Sequence, residues 1–264
     1  SFSDYVDWIE LLDKSGNIIR CSKDENSEIF DWTNGGMGLT GIILRAAIRL
    51  RPIETSWIKQ KTLIANNLDE VIEIFENSLE STYSVAWIDC FKKGNDIGRS
   101  VVLLGEHAKI NEISEKKTSK PYEIPIKKNK KIFFNLPSWI LNKWSNKLFN
   151  NLYFLYNKIK NRENLVDWDS FFYPLDSILD WNKIYGKKGF AQFQCVIPFD
   201  QSRTGLKELL TKINDSGLGS FLAVIKRFGE QDGKISFPMK GYTLALDFKI
   251  NEKTLNLMDE LDNI

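Results

Sequence analysis

Histidine is almost missing from this 264-residue chain, which contains a single one, His107. A histidine-rich metal cluster is therefore excluded, and a histidine-based catalytic triad has little support. Cysteine is also scarce: Cys21, Cys90 and Cys195 stand far apart in or beside apolar stretches, without CxxC spacing. This pattern is typical of buried thiols in a reducing compartment, so we expect neither disulfides nor a bound metal.

Net charge and long apolar runs are lacking too. The 36 basic and 35 acidic residues leave a net charge of +1, which gives no overall attraction to nucleic acid, and no nucleic-acid partner is expected. No apolar run approaches the roughly 20 residues of a membrane-spanning helix. Asp4, Asp7 and Glu10 interrupt the first residues of this sequence, so we do not expect these residues to form a signal peptide. We therefore expect a cytoplasmic protein.

The residues that are present predict an α+β fold. Hydrophobic residues make up 42% of the chain and aromatic residues 12%, which is enough for a packed core. Before Pro52, alternating apolar residues predict strands at 5–12, 18–21 and 41–50, with a short helix at 25–32. The pattern changes after Pro52, so we divide the chain into regions 1–53 and 54–264.

The second region contains two similar units. The first predicts a strand at 57–65, a helix at 68–80 capped by Asn67, and strands at 83–90 and 99–105. After an exposed loop at 111–131 and a helical stretch at 138–160, the second predicts strands at 189–197, 219–228 and 241–248 and helices at 203–215 and 253–262. Two strand-helix-strand-strand units indicate one mostly antiparallel sheet with helices on one face.

The densest glycine cluster lies at residues 34–43, with the sequence NGGMGLTGII. Glycine permits positive φ angles and a close approach of the backbone to a planar or phosphorylated ligand. Because this cluster leads into a strand, it matches neither the dinucleotide fingerprint nor the P-loop. Composition alone favours a structural turn over a ligand site.

Polar residues recur on one face of two predicted strands. Gln192 and Gln194 share a face of strand 189–197, and Lys226 shares a face of strand 219–228 with Leu222 and Val224. Glutamine and lysine are not expected in a core unless they are partnered. A solvent-facing sheet surface is favoured about two to one over a ligand site.

The segment 133–156 is unusually aromatic. One interpretation is a buried pair of helices. The other is an apolar wall over a lipid-like substrate, or a contact with a membrane surface. The sequence favours neither.

Several ordered motifs resemble one enzyme superfamily. Residues 34–46 resemble the G-G-x-G-L-T-G-I-I segment of FAD enzymes of the vanillyl-alcohol-oxidase type, and within it the decaprenylphosphoryl-β-D-ribose 2′-oxidase family. The further matching segments are SVAWID at 84–89, YPLD at 173–176, GFAQFQCVIP at 189–198 and SFLAVIKRFG at 220–229. The likeness is collinear over nearly the whole chain and weakest at 106–160.

The resemblance implies a cofactor, FAD, and a set of site residues. FAD contacts are implied at Ser1, Phe2, Gly36, Gly38, Gly41, Ile42 and Ile43. The substrate pocket is implied at Gln192, Gln194, Leu222, Val224, Lys226 and Phe172, with Lys226 as the one candidate catalytic residue. Phe172 stands where the family has a tyrosine, and Tyr173 stands where it has a histidine.

The family reaction takes a hydride from a sugar C2–H to flavin N5, and a partner short-chain reductase then reduces the keto-sugar. The resemblance also implies a preceding FAD-binding half and a following return segment, so we expect an inactive fragment that binds FAD poorly. Two alternatives remain open: an oxidase of a small aldonolactone or hydroxy acid, and a non-enzymatic α+β binding module.

Overall fold

The computed structural model describes residues 2–127, 129–137, 139–160, 163–231, 233–235 and 237–264. The chain divides into two compact units. The first combines Ser1–Pro52 with Phe228–Tyr242, and the second combines Ile53–Arg227 with Thr243–Ile264. The segment Phe228–Tyr242, which the sequence assigned to region 54–264, therefore belongs to the first unit.

The first unit contains a three-stranded sheet. Its elements are β1 (Val6–Leu12), β2 (Ile18–Ser22), α1 (Ser27–Thr33) and β3 (Ile42–Ile48). The strand order is β2-β1-β3, and both pairings are antiparallel. A small core forms between this sheet and α1, because Val6, Ile9 and Cys21 bury their side chains together with Phe30. All three predicted strands and the short helix are present.

The second unit contains a seven-stranded sheet and a separate two-stranded sheet. Its elements are β4 (Trp57–Ala65), α2 (Leu68–Glu76), β5 (Tyr83–Ile88), β6 (Ser100–His107), α3 (Glu115–Thr118), β7 (Lys130–Lys131), α4 (Lys143–Ile159), β8 (Glu163–Asp167), α5 (Trp168–Phe172), β9 (Ile178–Leu179), β10 (Phe190–Ile197), α6 (Phe199–Ser216), β11 (Ala223–Phe228), β12 (Gly241–Lys249) and α7 (Glu252–Leu261). The strand order is β10-β12-β11-β5-β6-β4-β8. The pairings β11–β5, β5–β6, β6–β4 and β4–β8 are antiparallel. The predicted α+β class with a mostly antiparallel sheet is confirmed.

One face of this sheet carries the helices that the sequence predicted. Ala223 and Ile225 of β11 are fully buried on this face. Arg227, the next residue on the same side of the strand, pairs with Glu76 at the end of α2 and lies over the ring of Phe199, which begins α6. Helices α2 and α6 therefore cover this face, and α7 packs against α6.

The opposite face carries α4, which the sequence did not place there. Val224 and Trp87 are cross-strand partners, as are Trp87 and Val101, so their side chains share this face. Trp87 and Val101 pack against Phe154 of α4. We call this surface, from Gln192 and Gln194 through Val224 to Trp87, the α4 face.

Two differences from the prediction have physical reasons that the structure shows. α4 begins at Lys143 rather than 138, because the side chain of Asn142 accepts hydrogen bonds from the amides of Trp144 and Ser145 and so caps the helix there. β8 was not predicted at all. Its sequence, ENLVD, is short, half polar and without clear alternation, as an edge strand beside β4 allows. None of the helices in the described part of the chain is long and apolar enough to cross a bilayer.

Candidate functional site

Two glutamines on the α4 face are held in fixed orientations. Gln192 Nε2 donates to Asp247 Oδ1 at 2.8 Å, and Gln194 Nε2 donates to Thr243 Oγ1 at 3.0 Å. Thr243 Oγ1 in turn donates to the carbonyl of Cys195 at 2.8 Å. No described residue donates a hydrogen bond to the Oε1 atom of either glutamine, so both acceptors are open to another molecule. Both glutamines are exposed, so a hydroxyl-bearing ligand can reach these acceptors.

Lys226 adds a cation to the same face. Its neighbours Ala223 and Ile225 are buried, whereas Lys226 is exposed and Leu222 and Val224 are half-buried on its side of the strand. The alternation that the sequence predicted for β11 is therefore present. The described residues offer Lys226 neither a hydrogen-bond nor an ion-pair partner. Its three N–H donors are available to a ligand.

Phe172 reaches the α4 face through aromatic contacts. It ends α5 and lies edge-on to Tyr83 of β5, with ring centroids 4.8 Å apart. Its neighbour Phe171 occupies space that a side chain on β6 would fill, since a Cβ atom added to Gly105 would lie 2.4 Å from Phe171 Cζ. The absence of a side chain at Gly105 thus allows α5 to bring Phe172 to the sheet.

Asp247 lies beside Gln192 on the neighbouring strand and is 9% exposed. Burial raises the pKa of its carboxyl, and the hydrogen bond from Gln192 offsets part of that increase. Asp247 also lines a cavity of about 90 Å³ together with Tyr185, whose Oη is buried with no hydrogen-bond partner among the described residues. Burial, and then the nearby Asp247, raise the pKa of Tyr185. A perturbed carboxyl beside an exposed polar row is a feature of ligand sites.

We expect the substitution Asp247→Asn to stabilise the chain at neutral pH but not in acid. The pKa of Asp247 is raised by folding, so the ionised carboxylate weakens the fold above that pKa, and this penalty vanishes below the unfolded-state pKa. Asparagine cannot ionise, and its Oδ1 can still accept from Gln192. Urea unfolding at a series of pH values measures the effect, with the exposed Asp24→Asn as control. A variant that is less stable than the wild type at every pH would contradict this assignment.

The predicted cofactor residues of the first unit fall into two groups. Gly36 and Gly41 are required by the fold itself. A Cβ atom at Gly36 would lie 1.9 Å from the carbonyl oxygen of Trp32, and one at Gly41 would lie 2.4 Å from that of Leu12. Gly38, in contrast, has φ +76° and open space at its Cβ position, and Ile42 and Ile43 are 65% and 52% exposed. The second group offers accessible backbone and apolar surface.

A groove of about 620 Å³ contains part of this segment. Gly38, Gly41 and Ile42 line it together with Trp32. An open glycine backbone beside apolar side chains suits one face of a planar ring system, so these residues fit the isoalloxazine ring of FAD. Phe2 lines a separate cavity of about 500 Å³, where Lys23 and Lys234 are accompanied by Asp4 and Asp31. Ser1 lies outside the described residues.

Sequence analysis overlooked two residues that support the polar row. Thr243 and Asp247 alternate with buried Tyr242, Leu244 and Leu246 along β12. Two polar side chains four residues apart in an otherwise apolar strand were a visible signal. Thr243 and Asp247 lie directly beside the two glutamines because β12 lies between β10 and β11, and this strand order is not visible in the sequence.

Comparisons with known proteins show which proteins this chain resembles in fold and in sequence. No family model matches the chain. Among solved structures, the moss protein Physcomitrella patens BBE-like 1, in its D396N variant, superposes with a TM-score of 0.53 at 12% identity, covering 99% of this chain and 54% of that one. That likeness shows a shared fold.

Curated relatives extend the likeness to the sequence. Decaprenylphosphoryl-beta-D-ribose oxidase of Mycolicibacterium smegmatis is 33% identical over 267 aligned residues, covering 99% of this chain and 57% of the relative. An uncharacterized protein in the mprA 5′ region of Streptomyces coelicolor is 26% identical over 276 aligned residues, covering 99% of this chain and 72% of its own length. The chain thus spans little more than half of the first relative. The resemblance to FAD-linked oxidoreductases of the vanillyl-alcohol-oxidase type that the sequence motifs indicated is therefore confirmed.

Proposed function

We propose that this chain is part of an FAD-dependent oxidoreductase that oxidises a sugar hydroxyl, at C2 of a polyprenyl-phosphate-linked pentose. The polar row on the α4 face carries the proposal. Gln192 and Gln194 present two amide oxygens, and Lys226 presents an ammonium group on a neighbouring part of the same surface. The relative named for oxidation of decaprenylphosphoryl-ribose supports this substrate class.

The residues of the α4 face bind and orient the sugar. The Oε1 atoms of Gln192 and Gln194 accept hydrogen bonds from two sugar hydroxyls, and Asp247 and Thr243 hold the amides so that these acceptors stay turned outward. Lys226 donates to a third hydroxyl or to a phosphate oxygen by a charge-assisted hydrogen bond. Leu222, Val224 and Phe172 supply apolar surface around the ring.

The cofactor supplies the redox chemistry. FAD, when bound, would supply the acceptor of the hydride from the carbinol carbon, while the hydroxyl proton would pass to water. Gly38, Ile42 and Ile43 are the residues of this chain that we assign to contact with it. The keto-sugar product would then be the substrate of a separate short-chain reductase.

Flavin bleaching in the whole protein tests the reaction. The protein is mixed without oxygen with a polyprenyl-phosphate pentose, the free pentose, an aldonolactone and a hydroxy acid, and the loss of flavin absorbance is recorded. Bleaching by the lipid-linked pentose, and more slowly by the free sugar, supports the proposal. Bleaching by the lactone or the hydroxy acid alone would assign a small soluble substrate instead. Absence of bound flavin from the whole protein would favour a binding module.

We expect the 264-residue chain to bind FAD weakly. The groove that contains Gly38 and Ile42 has one lysine, Lys14, next to Asp13 and Glu28, and that is little positive charge for a diphosphate. The measurement is the flavin absorbance of the purified chain after dialysis against buffer. Riboflavin, which lacks the diphosphate, should bind about as weakly as FAD. A stoichiometric FAD complex that survives dialysis would contradict this expectation.

A further inference from the structure

The near-neutral charge of the whole chain hides a strong local asymmetry. Residues 124–162 contain nine basic residues and no acidic one. These are Lys127, Lys128, Lys130, Lys131, Lys143, Lys147, Lys158, Lys160 and Arg162. The rest of the chain then holds 27 basic and 35 acidic residues, so this single segment is cationic and the remainder is anionic.

The same segment exposes a continuous apolar stripe on α4. Trp144, Leu148, Leu152, Leu155 and Ile159 are between 50% and 84% exposed. Their spacing of four, four, three and four residues places all five within an arc of about 80° on the outer side of the helix, at 100° per residue. An apolar stripe of this length exposed to water has a substantial cost in free energy unless something covers it.

The inner side of α4 packs against the sheet. Phe154 and Asn150 are buried, and Asn150 Nδ2 donates to Asp89 Oδ1 at 2.9 Å. Arg99 lies over the ring of Phe154 at 4.4 Å. Because these contacts fix the rotation of the helix, the outer stripe cannot turn inward to join the core. The interpretation of this segment as a buried helix pair is therefore wrong.

Lysines border the stripe without carboxylate partners. Lys147 and Lys158 lie along one edge, and Lys143 lies at the N-terminal end. Within the described part of the chain, these three lysines and Lys130 form no ion pair. Phe149 and Tyr156 lie along the other edge, and Phe133, Phe134 and Trp139 before the helix are 66–79% exposed.

We propose that α4 and the segment before it form a docking surface for an anionic lipid bilayer, with the outer stripe inserted at the interface. Leucine, phenylalanine and tryptophan on one side with lysine at the flanks are typical of helices that lie in the membrane plane. Tryptophan is enriched at the headgroup level. Lysine is depleted in protein–protein interfaces, which makes a protein occupant a poorer match. This surface goes beyond the proposed oxidation and does not depend on it.

Co-sedimentation with vesicles tests the proposal. The 264-residue chain is mixed with vesicles of phosphatidylcholine containing phosphatidylglycerol, or of phosphatidylcholine alone. We expect binding to the anionic vesicles at least tenfold tighter than to the neutral ones, and weaker binding at high salt, since each lysine near an anionic surface contributes about 1 kcal/mol. Equal binding to both vesicles, or binding to neither, would overturn the proposal.

Two variants separate the charged and apolar contributions. K143Q/K147Q/K158Q should reduce binding to anionic vesicles by about tenfold or more, and L148Q/L152Q/L155Q should abolish insertion, measured as quenching of tryptophan fluorescence by brominated lipid. The matched control K61Q/K207Q/K253Q removes three exposed lysines from other parts of the second unit and should bind normally. Unchanged thermal midpoints verify folding. A stable oligomer that the leucine variant dissociates would instead assign the stripe to a second copy of this chain.

Discussion

Replacing Arg99 by methionine is expected to lower the free energy of unfolding by about 3 kcal/mol, the largest loss of stability we predict. Arg99 is 9% exposed, and its Nε and Nη2 atoms lie 2.9 and 2.7 Å from Asp89 Oδ2. Asp89 is 2% exposed, so the substitution leaves a buried carboxylate without its cation. Breaking a buried pair from one side in this way has a typical effect of about 3–5 kcal/mol.

Urea unfolding measures this loss, and two further variants define its cause. Arg203 pairs with Asp69 at an exposed position, so Arg203→Met should lower the free energy of unfolding by less than about 1 kcal/mol. Asp89→Asn combined with Arg99→Met should recover part of the loss, because asparagine Oδ1 can still accept from Asn150 and from the amide of Phe91. If Arg99→Met were no more damaging than Arg203→Met, the buried pair would not anchor α4.

Local patterns predicted most elements of this fold. The nine-residue strand Trp57–Ala65 and the cap at Asn67 follow from alternation and from side-chain chemistry that act within a few residues. The strand Glu163–Asp167 could not be predicted, because its pairing with β4 spans about a hundred residues and its own sequence is half polar. The rotation of α4 is equally non-local, since it is determined by Asp89, which follows β5, and Arg99, which precedes β6.

The candidate site was predictable only in part. A period of two places Lys226 with Val224, and Gln192 with Gln194, from sequence alone. The order of the strands places Thr243 and Asp247 beside the glutamines, and no local sequence pattern predicts that order. The prediction of a flavin cofactor and of the substrate class came from the resemblance to a known family, because composition and spacing by themselves indicate neither.

Replacing Lys226 by methionine in the whole protein is expected to lower kcat/KM for the sugar substrate by at least about tenfold. The expected effect corresponds to one lost hydrogen bond to a charged group, about 1.5–3 kcal/mol. Methionine keeps much of the apolar stem, so the substitution removes the charge and little of the packing. Because Lys226 is exposed and has no partner among the described residues, the free energy of unfolding should change by less than about 0.5 kcal/mol.

Lys226→Arg and Lys188→Met complete this experiment. Arginine keeps the positive charge and should retain more activity than methionine, whereas Lys188 is an exposed lysine outside the polar row, so Lys188→Met should leave kcat/KM unchanged. A bound phosphate would be indicated if Lys226→Met raised KM for the lipid-linked sugar more than for the free sugar. If Lys226→Met unfolded the protein while activity per folded molecule stayed normal, Lys226 would be a structural residue and the α4 face would lose its cationic ligand group.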